Sequence, residues 1–281
     1  MRDRERILAT FRGDNVDRVV WQPRLEHWYC VNQTRGTLPD EYQLGEIDKT
    51  AAESGFTPLM AEQLLGIYDD LDASIRYTGR YPATGKGFLE FEMAGDIEVD
   101  IEENDDEVVR RLRTPRGNLR EIVKKTELGC SKMNVEYLLD STDDIPVMEY
   151  VLRNREVSFN HDAYQNSKEF IDGRGVVQLI LPRSPLQRTM LDYMGMERTL
   201  INLSREEERM NDFFETIERS GDRVYEEVKK SPVKVINFGE NIDGSVTRQS
   251  ISKSITCHIT ENALEGLRKR TSSLIFTWTG E

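Results

Sequence analysis

Apolar positions spaced three and four apart mark the first helix, since Ile7, Leu8 and Phe11 fall on one side of Arg2 to Arg12 and Gly13 with Asp14 ends it. The run Val19 to Trp21 then predicts a short buried strand that opens into a loop crowded with Arg24, Glu26, His27, Trp28 and Tyr29. A second helix is expected over Glu46 to Phe56, stopped by Gly55, and a second core strand over Asp72 to Tyr77. Between Phe88 and Glu127 the period changes to two. FLEFEM, DIEVDIEEN, EVVRRLRT and NLREIVKK alternate aliphatic and charged residues, which suits an antiparallel insertion with one solvated face. Thr114-Pro115-Arg116-Gly117 has Pro at the second and Gly at the fourth turn position, so the last two segments are expected to form a hairpin. Asp143 to Arg153 and Asp162 to Phe170 read as helices.

From Val176 onward the pattern is α/β. Strands Val176 to Leu181, Val233 to Phe238 and Leu274 to Phe276 alternate with helices Pro185 to Tyr193, Arg205 to Lys230 and Ile251 to Arg270. Continuous aliphatic strands between amphipathic helices predict parallel pairing with right-handed crossovers. About five such core strands are recognisable, fewer than a closed barrel of eight strands needs.

The formal charge of −13 over 281 residues opposes encounter with polyanions, which excludes DNA, RNA and anionic membrane faces as partners and leaves a small molecule held in a local basic pocket. No window approaches the roughly 20 apolar residues of a membrane span, and MRDRERILATF is a charged amphipathic helix rather than a signal peptide, so the cytoplasm is the expected address. Three widely spaced cysteines, Cys30, Cys130 and Cys257, predict isolated thiols. Three histidines are too few for a His-rich metal site, and no metal ligands are assigned.

In parallel α/β folds the reacting groups gather beyond the carboxyl ends of the strands. After Trp21, Arg24 could hold a carboxylate bidentately and His27 could move a proton, whereas the same loop could equally be surface structure with Trp28 and Tyr29 as plugs. After Leu181, Arg183 stands beside Ser184-Pro185, a helix start whose free N–H groups suit an anion, and such a start is also common where nothing binds. After Phe238, the loop Glu240-Asn241-Ile242-Asp243-Gly244 offers carboxylates and an amide to a ring N–H or hydroxyl. Asp72, in the acidic run with Asp69 and Asp70, is either one buried carboxylate or part of a solvated helix end.

The segments RERILATFRGDNVDRVVWQPRLEHWY, TLPDEY, GVVQLILPRSPLQ, YMGMERTL and VKVINFGENIDGSVT together resemble the uroporphyrinogen decarboxylase superfamily. The resemblance implies a single domain over 1–281, a TIM-type (β/α)8 barrel incomplete at the carboxyl end, with the antiparallel insertion at about 88–127. It implies carboxy-lyase chemistry of porphyrin biosynthesis on a tetrapyrrole or related carboxylated substrate, without metal or organic cofactor. Catalytic roles then fall to His27, Asp72, Glu240 and Asp243, and substrate binding to Arg24, Trp28, Tyr29, Arg183 and Asn241. Arg24 matches the family's first carboxylate-binding arginine, but Trp28 stands at the second, which points to a smaller or less carboxylated ligand. The same superfamily holds methyltransferases that use zinc and a corrinoid protein. Here Thr277-Trp278-Thr279 occupies the place of their His-x-Cys pair. A third alternative is a non-catalytic or fragmentary barrel. Barrels of this family often pair, so a homodimer is a further expectation.

Overall fold

The computed structural model describes residues 1–43, 58–75, 87–127, 131–240 and 275–278. Helices α1 (Asp3–Arg12), α2 (Glu26–Arg35) and α3 (Pro58–Asp70) come first. Five strands follow: β1 (Leu89–Met93), β2 (Glu98–Glu103), β3 (Glu107–Thr114), β4 (Gly117–Lys125) and β5 (Lys132–Glu136). Then come α4 (Ile145–Arg153), β6 (Arg155–Phe159), α5 (His161–Ile171), β7 (Gln178–Leu181) and α6 (Pro185–Arg188). The described chain ends with α7 (Met196–Arg205), α8 (Glu207–Lys230), β8 (Val235–Phe238) and β9 (Ile275–Trp278). The expected helices Glu46 to Phe56 and Ile251 to Arg270 lie outside the described residues. The chain divides into two compact units, Met1–Phe88 with Lys125–Lys132 and Asn160–Leu179, and Leu89–Lys124 with Met133–Phe159 and Ile180–Glu281.

In the first unit Ile7, Leu64, Ile67, Tyr68, Ile75, Ile171 and Val176 form a buried core. Helix α1 ends where expected, at Gly13 with φ 75°. Ile75 bridges Gly175 in parallel, and the contact is so close that a Cβ on Gly175 would lie 2.7 Å from the Ile75 carbonyl oxygen. The expectation of a buried strand at Val19 to Trp21 is corrected. Val19 is 87% exposed, and the segment makes one ladder bond, Ser74 N–H to Trp21 O at 2.9 Å. Asp17 and Arg18, immediately before it, are engaged by Arg6 and by Asp72, so charge anchors this stretch where apolar burial was expected.

The crowded loop is also corrected, because from Glu26 onward it is α2. Its ten residues contain neither Gly nor Pro, Glu26 and Arg35 complement the helix dipole at the two ends, and Gly36 closes it in the left-handed region with its N–H on Asn32 O and Gln33 O. Cys30, on this helix, is disulfide-bonded, which corrects the expectation of isolated thiols.

The second unit contains the expected hairpin. β3 and β4 pair antiparallel with Thr114 opposite Gly117, and the Thr114 hydroxyl donates to Gly117 O at 3.0 Å. β2 and β5 complete an antiparallel four-stranded sheet of order β2-β3-β4-β5. FLEFEM does not join it. β1 pairs antiparallel with β6, Leu89 opposite Phe159, a strand whose inward Arg155 and Phe159 alternate with outward Glu156 and Ser158. A core of Leu112, Leu119, Leu139, Met148, Leu152, Leu186, Met210, Phe213 and Ile217 joins the sheet to α4, α6 and α8. The 24 residues of α8 bury Met210, Phe213, Phe214, Ile217, Val224 and Val228, the stripe its 3.6-residue period predicts.

A three-stranded sheet has the order β7-β8-β9, with β8 and β9 parallel, Val235 opposite Ile275. The structure is thus mixed α/β with small separate sheets, and no closed barrel is present among the described residues. Among those residues no helix is long and apolar enough to cross a membrane.

Candidate functional site

The candidate residues of the first unit do not converge. Arg24 precedes α2, and His27 and Trp28 are exposed on its first turn. Tyr29 faces inward with 0% exposure, and its hydroxyl donates to Tyr42 O at 2.9 Å; burial pushes its pKa up to about 12. It is therefore a strut between α2 and the turn at Asp40–Tyr42, with its one O–H proton already committed. Asp72 has a left-handed φ of 49°, is 74% exposed and pairs with Arg18. It stands three residues before Ile75, which makes an isolated parallel bridge to Gly175. With Arg2, Asp3, Arg6, Asp17 and Arg174 it lines an open polar depression of about 520 Å3. Arg6 at its floor is buried and bonds Asp17 Oδ1 at 2.6 Å, and that bond holds the Asp17 carboxyl far below the usual range.

Arg183 and Glu240 come together through Ser184, in the second unit, just beyond the carboxyl ends of β7 and β8. Glu240 is 3% exposed. Ser184 donates its backbone N–H to Glu240 Oε1 and its hydroxyl to Oε2, the latter at 2.8 Å. Ser184 occupies the cap position of α6, yet its side chain does not cap the helix. The place at this helix start where an external anion was expected is taken by the protein's own Glu240 side chain. Burial raises the Glu240 pKa, the two Ser184 bonds and the Arg183 charge oppose that shift, and Asp192 adds to it. The net result is a carboxyl that keeps its proton to higher pH than an ordinary glutamate.

Helix α6 runs into a wide π-type turn, Thr189–Tyr193, a local geometry that recurs at functional sites. It brings Asp192 to Arg183, Nη1 to Oδ1 at 3.1 Å, and sets the Arg188 guanidinium 5.1 Å from the centre of the Tyr193 ring. Burial raises the Asp192 carboxyl too, against the charges of Arg183, Arg188 and Arg110. A narrow cleft with room of about 20 Å3 lies beside these groups, lined by Pro182, Arg183, Ser184, Arg188, Gly221 and Tyr225. The Tyr225 phenol is pushed up to about 12, by burial first and then by the charge of Glu240.

Asn241 and Asp243 lie outside the described residues. Ser184 as a carboxylate donor, Asp192, Tyr193 and Arg188 are site members that the sequence reading passed over. The i, i+4 spacing of Arg188 and Asp192 in PLQRTMLDY was the one available signal, whereas Arg110 arrives from a distant sheet strand and left none. Among the described residues no three His, Cys, Asp or Glu side chains stand close enough to hold a metal ion. No protein-family model, curated protein or solved structure matches the chain.

Proposed function

We propose that this chain is a carboxy-lyase of the uroporphyrinogen decarboxylase type, built on TIM-type barrel strands and acting in the cytoplasm on a tetrapyrrole or a related carboxylated ring. The single observation that carries the reading is the buried Glu240 carboxyl, held by both donors of Ser184 beside Arg183 at the carboxyl ends of β7 and β8. A carboxyl whose pKa is raised by burial is suited to act as general acid in such a reaction. Parallel pairing of Ile75 with Gly175 in one unit and of β8 with β9 in the other is consistent with barrel strands.

In this mechanism Arg183 holds a substrate carboxylate and Glu240 delivers a proton to the ring carbon next to the one bearing an acetate arm. The bond from the arm's methylene carbon to its carboxylate breaks and carbon dioxide leaves. Its electron pair forms an exocyclic methylene and neutralises the cationic ring. A second proton then converts that methylene to a methyl group while the proton first placed on the ring carbon is lost, which restores the aromatic ring, so one proton is consumed for each carbon dioxide released. No redox partner is required. Facing the ring cation falls to the neighbouring Asp192, held in place by its pair with Arg183.

Anaerobic incubation of the full chain with uroporphyrinogen, followed by mass spectrometry of the products, tests the reading. Stepwise loss of carbon dioxide is expected. Unchanged substrate after prolonged incubation overturns it.

A further inference from the structure

In a chain whose net charge is −13, the charges of three arginines, Arg183, Arg188 and Arg110, act on the one carboxylate of Asp192. Arg183 spends Nη1 on Asp192, yet its Nε is buried without an acceptor. Arg110, from β3, spends Nη2 on Glu121 at 2.6 Å, and its Nε is likewise buried without an acceptor. Only one other buried side-chain atom among the described residues lacks a partner, so two of three such atoms belong to guanidinium groups whose charges both reach Asp192. Arg188, on the Tyr193 ring, is the third cation acting on the same carboxylate. Buried N–H donors without acceptors are costly, and a planar guanidinium fork is shaped for a two-oxygen anion.

We propose that Arg110, Arg183 and Arg188 form a receptor for the oxyanion group of a small ligand, a carboxylate or a phosphate, bound beside Asp192 with the idle Nε donors of Arg110 and Arg183 directed to its oxygens. The proposal shares Arg183 with the reaction above and extends the site to the antiparallel sheet, which the barrel chemistry leaves unused. The narrow cleft is lined by two of the three cations, Arg183 and Arg188, with the apolar Ile217 and Val224 beside them.

Calorimetric titration of the full chain with inorganic phosphate and, separately, with benzoate tests this without any turnover. Saturable binding of at least one anion is expected, and the arm that binds identifies the group. Arg110→Gln and Arg183→Gln are each expected to weaken it about tenfold or more, and Arg183→Lys, which keeps the charge but loses the fork, is expected not to restore it. Arg219→Gln, on an exposed helical pair, leaves it unchanged. Absence of saturable binding by either anion, or binding indifferent to both glutamine variants, overturns the proposal. Should those variants fail to fold by circular dichroism, phenylglyoxal labelling of the native chain decides. The anion must slow labelling of Arg183 relative to Arg219, and equal labelling overturns the proposal. Anion binding without decarboxylation would sink only the proposed reaction, and decarboxylation without anion binding only the receptor.

Discussion

Replacing Ser184 by alanine removes one of the two donors that hold Glu240 while leaving the backbone N–H in place. The hydroxyl bond is 2.8 Å long and buried at both ends, so solvent offers the carboxyl oxygen no replacement. A buried bond to a charged group contributes about 1.5–3 kcal/mol and one between neutral groups about 0.5–1.5 kcal/mol. Which figure applies depends on the Glu240 proton. Its pKa is raised above the ordinary 4.5, so its favourable contribution to stability is complete below that value and is lost as pH rises through the folded-state pKa. Ser184→Ala removes a bond that favours the ionised form and so lifts the folded-state pKa further. The gap between wild type and variant is therefore smallest in mild acid and widest at alkaline pH. Urea unfolding of both chains across that range measures it. A gap that stays constant with pH, or stays under about 0.5 kcal/mol throughout, would refute the reasoning.

Arg155 is buried against Ser220 and the Phe91 ring, and burial pulls its pKa down to about 10 from 12.5, a cost of roughly 3 kcal/mol at about 1.4 kcal/mol per unit. Arg155→Met is accordingly expected to leave stability at neutral pH unchanged or raise it by up to about 3 kcal/mol in urea melts, and a clear loss would show that the guanidinium has a partner worth its burial. Gly195→Ala should cost about 1–3 kcal/mol by the same measurement, because φ is 85° and the new Cβ would meet the Tyr137 ring at 2.9 Å. Asp17→Asn removes a carboxyl whose depressed pKa contributes stability above the ordinary 3.8 and loses it as pH falls. The variant is expected to be weaker than wild type at neutral pH, with the two acid-unfolding curves converging only at strongly acid pH.

Periodicity carried the parts of the fold that depend on local burial. The apolar stripe of α8, the Thr114 to Gly117 hairpin and the late parallel strands are visible in the residues because each is decided by neighbours in sequence. The region Val19 to Arg35 reads wrongly for a physical reason. Val19 and Trp21 are apolar but exposed, and the stretch is fixed by ion pairs of Asp17 and Arg18 whose partners lie as far away as Asp72. Aromatic crowding from His27 to Tyr29 suggested a loop, while the absence of Gly and Pro from ten residues allowed a helix.

At the site, Arg183 and Glu240 were legible because both follow aliphatic strands. Their coupling through Ser184 was not, since the two segments are 56 residues apart and Ser184 already had a sufficient explanation as a helix cap. Asp72 was readable either as a site carboxylate or as part of a solvated helix end, and its exposed pair with Arg18 depends on a partner 54 residues away.

Whether Glu240 is the acid of a decarboxylation is decided by the pH profile of carbon dioxide release from uroporphyrinogen, measured for wild type and Glu240→Gln side by side. The account predicts release by wild type that declines as pH rises through the elevated Glu240 pKa, and a loss of about 10²–10⁴-fold in a folded Glu240→Gln chain. A glutamine variant that releases carbon dioxide at the wild-type rate with the wild-type profile would contradict it.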